Sequence, residues 1–171
     1  TIGTLTRITG VILAIRHRDL KRILAYSTVV SLGTLITLIG MGHPIAAFAM
    51  AVFLLVHALY KAALFMVAGI IDHATGTRDT AILGGLAARM PTTLIAACLA
   101  GLSMAGLPPL LGFMGKELIY EAALLSNMSL IVMVVAIGAN ACMVAIAAVI
   151  ALRCFVGRPQ AELQETVQAA T

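Results

Sequence analysis

Charge is what this chain has least of. Only 11% of its 171 residues are Asp, Glu, Lys or Arg, against roughly 25% in an ordinary soluble domain. Hydrophobic residues make up 61%, and the mean hydropathy is +1.08. That leaves too little polar surface for a water-soluble fold, and lipid is the solvent such a chain suits. Tryptophan is absent and aromatics amount to 5%. There is no platform on which bases could stack, so nucleic acid is excluded as a partner. Cys98, Cys142 and Cys154 lie far apart with no CxxC or His spacing, and are read as inert thiols rather than disulfides or metal ligands. There is no Gly-rich phosphate loop, no nucleophile–base pair and no ligand cluster. Asp72, His73 and Asp79 fall in a loop of mixed charge and read as structural. The expectation is a protein that is not an enzyme and holds no metal or cofactor. Thr1 already stands in an apolar stretch, with no initiator Met and no signal-peptide n-region. The expected domain layout is therefore a membrane domain over 1–153, truncated at its N-terminus, and a polar cytoplasmic tail over 154–171.

What the chain does have is long apolar runs. Five emerge: Thr1 to Ile15, Ile23 to Gly40, Ile45 to Ile71, Pro91 to Ser126, and Ser129 to Leu152. Barrel strands would be about ten residues long with alternating polarity. These runs are longer and apolar all round, so the fold class is all-α: a polytopic transmembrane bundle of about five helices. Alanines in the last run, Ala136, Ala141, Ala145 and Ala148, suit close helix contact, and Asn140 there reads as a packing hydrogen bond.

Net charge is +4, with 11 Lys and Arg. Arg16, Arg18, Lys21 and Arg22 fall in the first loop, Arg78 and Arg89 in the loop 72–90, and Arg153 and Arg158 after the last run. Alternating helices put all of these on one side. The opposite turns, Met41–Pro44 and Ser126–Ser129, carry no Lys or Arg. The positive-inside rule makes the basic loops 16–22 and 72–90 and the tail cytoplasmic, in a multi-pass protein of the inner (plasma) membrane. Arg7, Lys61 and Lys116 remain, within the membrane. Arg7 lies about nine residues, roughly 14 Å, inside the first helix, and the sequence assigns it no partner.

The fourth run is too long for one straight crossing. About 36 residues would make roughly 54 Å of helix against a core of about 30 Å. Its middle reads Gly106-Leu107-Pro108-Pro109-Leu110-Leu111-Gly112. Two prolines remove donors and clash with the preceding turn, which predicts a discontinuous helix broken at Gly106, Pro108, Pro109 and Gly112. Transporters place ion sites at such breaks. A simple proline kink or a helical hairpin is the other reading.

Lys61 carries most of the functional signal. It lies near the centre of the third helix, with His57 four residues earlier on the same face. A charged lysine at that depth costs about 2.5–3.5 kcal/mol on insertion scales. A base kept from water loses its preference for the charged form, and histidine titrates near neutrality. Two such groups on one face suit proton hopping. The alternative is a lysine held by a fixed carboxylate or by backbone carbonyls. Lys116 follows the break, in the first turn of the second half-helix. The macrodipole disfavours a cation there and favours Glu117, so Lys116 is expected to release its proton easily. The other reading has Lys116 and Glu117 merely reaching an aqueous vestibule. Ser27, Ser31 and Thr34 form a hydroxyl stripe at i, i+4, i+7 on the second helix. A water chain and interhelical packing fit it equally.

These residues resemble a known family. Asp19-Leu20-Lys21-Arg22-Ile23-Leu24-Ala25-Tyr26-Ser27-Thr28 is similar to the D-[IL]-K-x-x-L-A-Y-S-T motif of antiporter-like subunits. His57-Ala58-Leu59-Tyr60-Lys61-Ala62-Ala63-Leu64-Phe65 is similar to their H-A-x-x-K-A-x-L-F helix. Gly84-Gly85-Leu86, Met90-Pro91, Gly106-Leu107-Pro108 and Gly112-Phe113-Met114-Gly115-Lys116-Glu117 resemble the entry and break of their discontinuous helix. The motifs fall in the family's order from about residue 17 to 125. The family comprises large subunits of Mrp sodium/proton antiporters, proton-pumping subunits of complex I, and relatives in membrane-bound hydrogenases. The loop Asp72-His73-Ala74-Thr75-Gly76-Thr77-Arg78-Asp79 looks most like that of the Mrp A-type subunits. Phe53, where many complex I relatives have histidine, favours the same branch, and Val30 replaces a usual serine.

The resemblance implies a fold: the second inverted repeat of the antiporter-like architecture, with the first repeat and its glutamate–lysine pair absent. It also implies roles, with Lys61 as the midplane lysine, His57 as its neighbour in the hydrated axis, and Lys116 as the broken-helix lysine exchanging protons with one side. The implied function is proton translocation coupled to sodium transport within a multi-subunit complex, with protons, sodium, lipid and other membrane subunits as partners. A redox-driven pumping subunit of complex I or a hydrogenase is the alternative. A non-conducting membrane scaffold is a third.

Overall fold

The computed structural model describes residues 1–126 and 130–156. The predicted stretch 157–171 of the tail, with Arg158, and positions 127–129 of the last turn lie outside the described residues. Six helices of 15 residues or more account for most of the described chain: α1 (Ile2–Arg16), α2 (Leu20–Ile39), α3 (Pro44–Thr75), α4 (Pro91–Ala105), α5 (Leu111–Leu125) and α6 (Leu130–Ala148). A π-helical turn, Val149–Arg153, and a last turn, Cys154–Val156, extend α6. α2, α3 and the continuous rod Leu130–Val156 are long and apolar enough to cross a membrane.

Local chemistry sets the boundaries. Asp19 caps α2 by accepting from the Arg22 N–H. Pro44 opens α3 and Pro91 opens α4, where the missing N–H would have had no helical partner anyway. Gly76, at φ +67°, closes α3. The 32 residues of α3 make a rod of roughly 48 Å, longer than the roughly 30 Å apolar core of a bilayer.

The predicted break is present. α4 ends at Gly106, φ +76°, whose N–H and that of Leu107 both return to the Leu102 carbonyl. The chain then turns through Leu107–Leu110 and resumes as α5. Residues 107–109 cannot continue the helix, because neither proline has an N–H to give.

On the basic side a small latch ties the first loop to the loop after α3. Leu20 N–H donates to the Arg78 carbonyl and Thr80 N–H to the Arg18 carbonyl, both at 2.9 Å. Asp72 accepts from Lys21 at 2.8 Å and from Arg78 at 2.9 Å. The Asp72 carboxylate also strengthens Arg78's hold on its proton. Asp72 and His73, expected in the loop, instead belong to the last turn of α3, and Asp79 accepts from the Ala81 N–H at 2.8 Å.

The main core gathers Leu20, Leu24, Leu64, Ile71, Met104, Ile150 and Phe155, all nearly or fully inaccessible. α1 and α2 pack closest, on glycine. A Cβ placed on Gly33 would come within 2.9 Å of the Arg7 Cγ, so the arginine stem lies in space that only glycine leaves open. The alanines expected at close contacts divide differently. Ala139 and Ala147 are buried, whereas Ala141, Ala145 and Ala148 face outward, because a run of small residues carries no information about which face packs.

Candidate functional site

Lys61 is 5% exposed and His57 7%, both close to the middle of α3. The Lys61 ammonium donates to the Leu24 carbonyl at 3.0 Å and to the Ser27 hydroxyl. A backbone carbonyl therefore does hold this lysine, as one reading expected. No carboxylate lies within ion-pair distance of it among the described residues. The two acceptors are neutral, so the group can give up and recover a proton without breaking an ion pair. Ser27 donates its own proton to the Leu24 carbonyl at 2.8 Å, and Ser31 donates to the Ser27 carbonyl at 3.2 Å. Thr34 likewise donates to the Val30 carbonyl at 3.2 Å. The hydroxyl stripe thus lies along the α2–α3 seam, bonded to its own helix.

His57 does not pair with Lys61. Its Nδ1 shares a hydrogen bond of 2.9 Å with the Tyr60 hydroxyl, and its ring stands 5.9 Å from that of Phe53. Tyr60 is the hydrogen-bonding neighbour of His57 that reading for charge missed. Its three-residue spacing from His57 was the available signal.

Beyond Tyr60 lies a cavity of about 50 Å³, walled by Arg7, Ser31, Thr34, Phe53, Tyr60, Met104, Lys116, Tyr120 and Asn140 among others. That is room for a few waters among several polar partners. Lys116 enters it from α5 and donates to the Ala105 carbonyl at 2.6 Å. Its stem passes over Gly106, where a Cβ would collide with it. Asn140 donates to the Tyr120 hydroxyl at 3.0 Å: it makes the packing bond expected of it and also forms part of the cavity wall. The structure therefore brings Lys61 onto Ser27 and sets Ser31, Thr34, Tyr60 and Lys116 around one largely apolar cavity; Lys61 and Ser27 do not line it. Glu117 is exposed on the outer face of α5 and is not part of it. Pro108 and Pro109 are exposed in the break, while Gly112 packs directly on the Ser103 carbonyl. Among the described residues no group of three His, Cys, Asp or Glu could hold a metal ion.

The family model described as NADH:quinone oxidoreductase/Mrp antiporter, TM, matches residues 1–143. The chain belongs to that family. It is accordingly a multi-pass membrane protein, with the fold of an antiporter-like membrane protein. It is 47% identical over 122 residues to the probable K(+)/H(+) antiporter A/B subunit of Rhizobium meliloti, covering 71% of this chain and 12% of that protein. It is 45% identical over 136 residues to the A-type Na(+)/H(+) antiporter subunit of Alkalihalophilus pseudofirmus, covering 71% of this chain and 17% of that one. Among solved structures it resembles a chain of the Mrp complex from Dietzia sp., with a TM-score of 0.79 and 37% identity over 96% of this chain and 19% of that one. It also resembles a chain of the membrane-bound sulfane sulfur reductase, an archaeal respiratory membrane complex, with a TM-score of 0.87 and 31% identity over 95% of this chain and 27% of that one. The chain thus spans less than a fifth of the length of both curated relatives.

Proposed function

We propose that this chain is part of the proton path of a monovalent cation/proton antiporter of the Mrp kind, working with other membrane subunits and exchanging protons against sodium. The observation that carries the reading is Lys61: a buried ammonium at mid-helix, held by a carbonyl and a hydroxyl, with its helix neighbour Tyr60 on the wall of a largely apolar cavity that Lys116 enters from the helix break. A lysine in that setting is expected to have a transport role. The basic loops 16–22 and 72–90 and the tail are assigned to the cytoplasm, in the inner (plasma) membrane. The antiporter names of the two curated relatives support the coupling to sodium or potassium. A redox-driven alternative draws support from the structural likeness to the sulfane sulfur reductase chain.

The test uses the full-length parent with its partner subunits, in everted vesicles from an antiporter-deficient host. A pH-sensitive dye follows the gradient as sodium is added after respiration stops. Sodium-dependent collapse of the gradient, lost in Lys61→Ala at normal assembly, is the expected result. Pumping that needs an electron donor and ignores sodium would assign the chain to the redox-driven branch. Wild-type exchange in assembled Lys61→Ala would remove Lys61 from the path.

A further inference from the structure

Arg7 has no place in the proton path described above, yet it is the most deeply buried charged residue among the described ones, 3% exposed. α1 sets it roughly 14 Å from the basic end at Arg16, well beyond the reach of its side chain. It makes no ion pair with any described residue, and its Nε has no hydrogen-bond partner among them. Arginines buried this far are ordinarily paired. The position is made for this side chain: a Cβ on Gly33 would come within 2.9 Å of the Arg7 Cγ, so α2 presents glycine where the arginine stem passes.

Arg7 lines the cavity of about 50 Å³. Among the described residues no carboxylate lines it, and its charged groups, Arg7 and Lys116, are donors with no lone pair to offer. Ser31 and Thr34 spend their protons on carbonyls of their own helix. The Tyr120 hydroxyl accepts from Asn140 and so keeps its own proton to give. It stands within electrostatic reach of Arg7. We propose that this cavity is a binding site for a small monovalent anion of the halide class, chloride or bromide, held on the Arg7 guanidinium with the Tyr120 hydroxyl as a second donor. Water there would hydrate the guanidinium without balancing its charge, and an unbalanced charge is what a low-dielectric interior tolerates least. The walls are largely apolar, which favours a halide that gives up its water readily over a strongly hydrated sulfate. A sodium ion would find no carboxylate there and would face a guanidinium that stays charged at any working pH. The volume admits one such anion with a water or two and is too small for an organic acid.

The test reads binding, so it is independent of what drives transport and of which lysines carry protons. The full-length parent, assembled with its partner subunits and purified in detergent, is titrated with sodium chloride or sodium bromide at constant ionic strength, with sodium gluconate making up the balance. A parallel series uses sulfate, and thermal unfolding is the readout. Chloride and bromide should each raise the melting temperature saturably, by about 2 °C or more, and sulfate should not. In Arg7→Gln and Arg7→Met the rise should vanish, whereas Arg7→Lys, which keeps a charge, should retain it at a higher half-saturating concentration. Tyr120→Phe should raise the half-saturating chloride several-fold. No halide-dependent rise in the wild type would overturn the proposal in favour of a carboxylate brought to Arg7 from elsewhere in the parent or from another subunit. An equal rise in the neutral variants would overturn it too, by placing the halide elsewhere. If neither neutral variant assembles, Tyr120→Phe decides, and an unchanged half-saturating concentration there would overturn it.

Discussion

The Lys116 ammonium reaches back over the helix break to the carbonyl of Ala105, 2.6 Å away. That carbonyl belongs to the last residue of α4 and has no helical donor of its own, since the chain turns off at Gly106. One side chain thereby satisfies an orphan acceptor and crosses the discontinuity. The bond needs Gly106, whose φ of +76° and missing Cβ admit the lysine stem. Gly106→Ala should destabilise the fold by about 1–2 kcal/mol for the left-handed conformation alone, and should displace Lys116 as well. The measurement is thermal stability and exchange rate of the assembled parent, and wild-type values for both would contradict it. Lys116→Arg keeps the charge but cannot release a proton at working pH, so it should lose exchange while still assembling.

Ser27 supplies one of the two acceptors of Lys61. A hydrogen bond to a charged group is worth roughly 1.5–3 kcal/mol, and losing it penalises only the protonated form of the lysine. Ser27→Ala should therefore slow exchange on the order of tenfold, with assembly unchanged. Ser27→Thr, which keeps a hydroxyl, should retain most of the rate. Equal rates in the alanine and wild-type proteins would separate Ser27 from the path.

How much of this was legible beforehand follows from what each residue depends on. Lys61 stood out because a cation inside an apolar run is visible without knowing any contact, and the break because two prolines forbid a helix locally. The third dimension was not visible. Arg7 had no partner in the sequence because the groups around its cavity come from α2, α3, α4, α5 and α6. His57 was placed with Lys61 by their four-residue spacing, but its ring turns to Tyr60, one residue nearer. Glu117 follows Lys116 directly, so on a helix the two point about 100° apart, and only one can enter the cavity. The last helix was expected to end at Leu152, before Arg153, but continues to Val156 through a π-helical turn. Packing of Cys154 and Phe155 into the core outweighs the charge at Arg153.

The latch on the basic side joins two sequence motifs that lie far apart. Asp72 at the end of α3 takes both Lys21 from the start of α2 and Arg78 from the loop. These groups are largely solvated, so each pair adds little alone. Their effect is to fix the start of α2, and α2 carries Leu24 and Ser27, the acceptors of Lys61. Asp72→Asn should therefore lower thermal stability slightly, with a larger effect at low salt, where screening is weak. Exchange should persist at a reduced rate. Complete loss of exchange in an assembled Asp72→Asn complex would mean that the carboxylate has a direct part in transport.

Gly33 gives a sharper structural test, because its demand is purely steric. A methyl group there would meet the Arg7 backbone N and Cγ at 2.9 Å, tighter than ordinary contact allows. α1 and α2 would have to separate, and no flexible side-chain end is available to give way at the backbone nitrogen. Gly33→Ala should destabilise the protein by about 1–3 kcal/mol, the usual range for overpacking. The measurement is the thermal stability of the assembled parent. Unchanged stability would mean that α1 and α2 sit further apart than this packing requires.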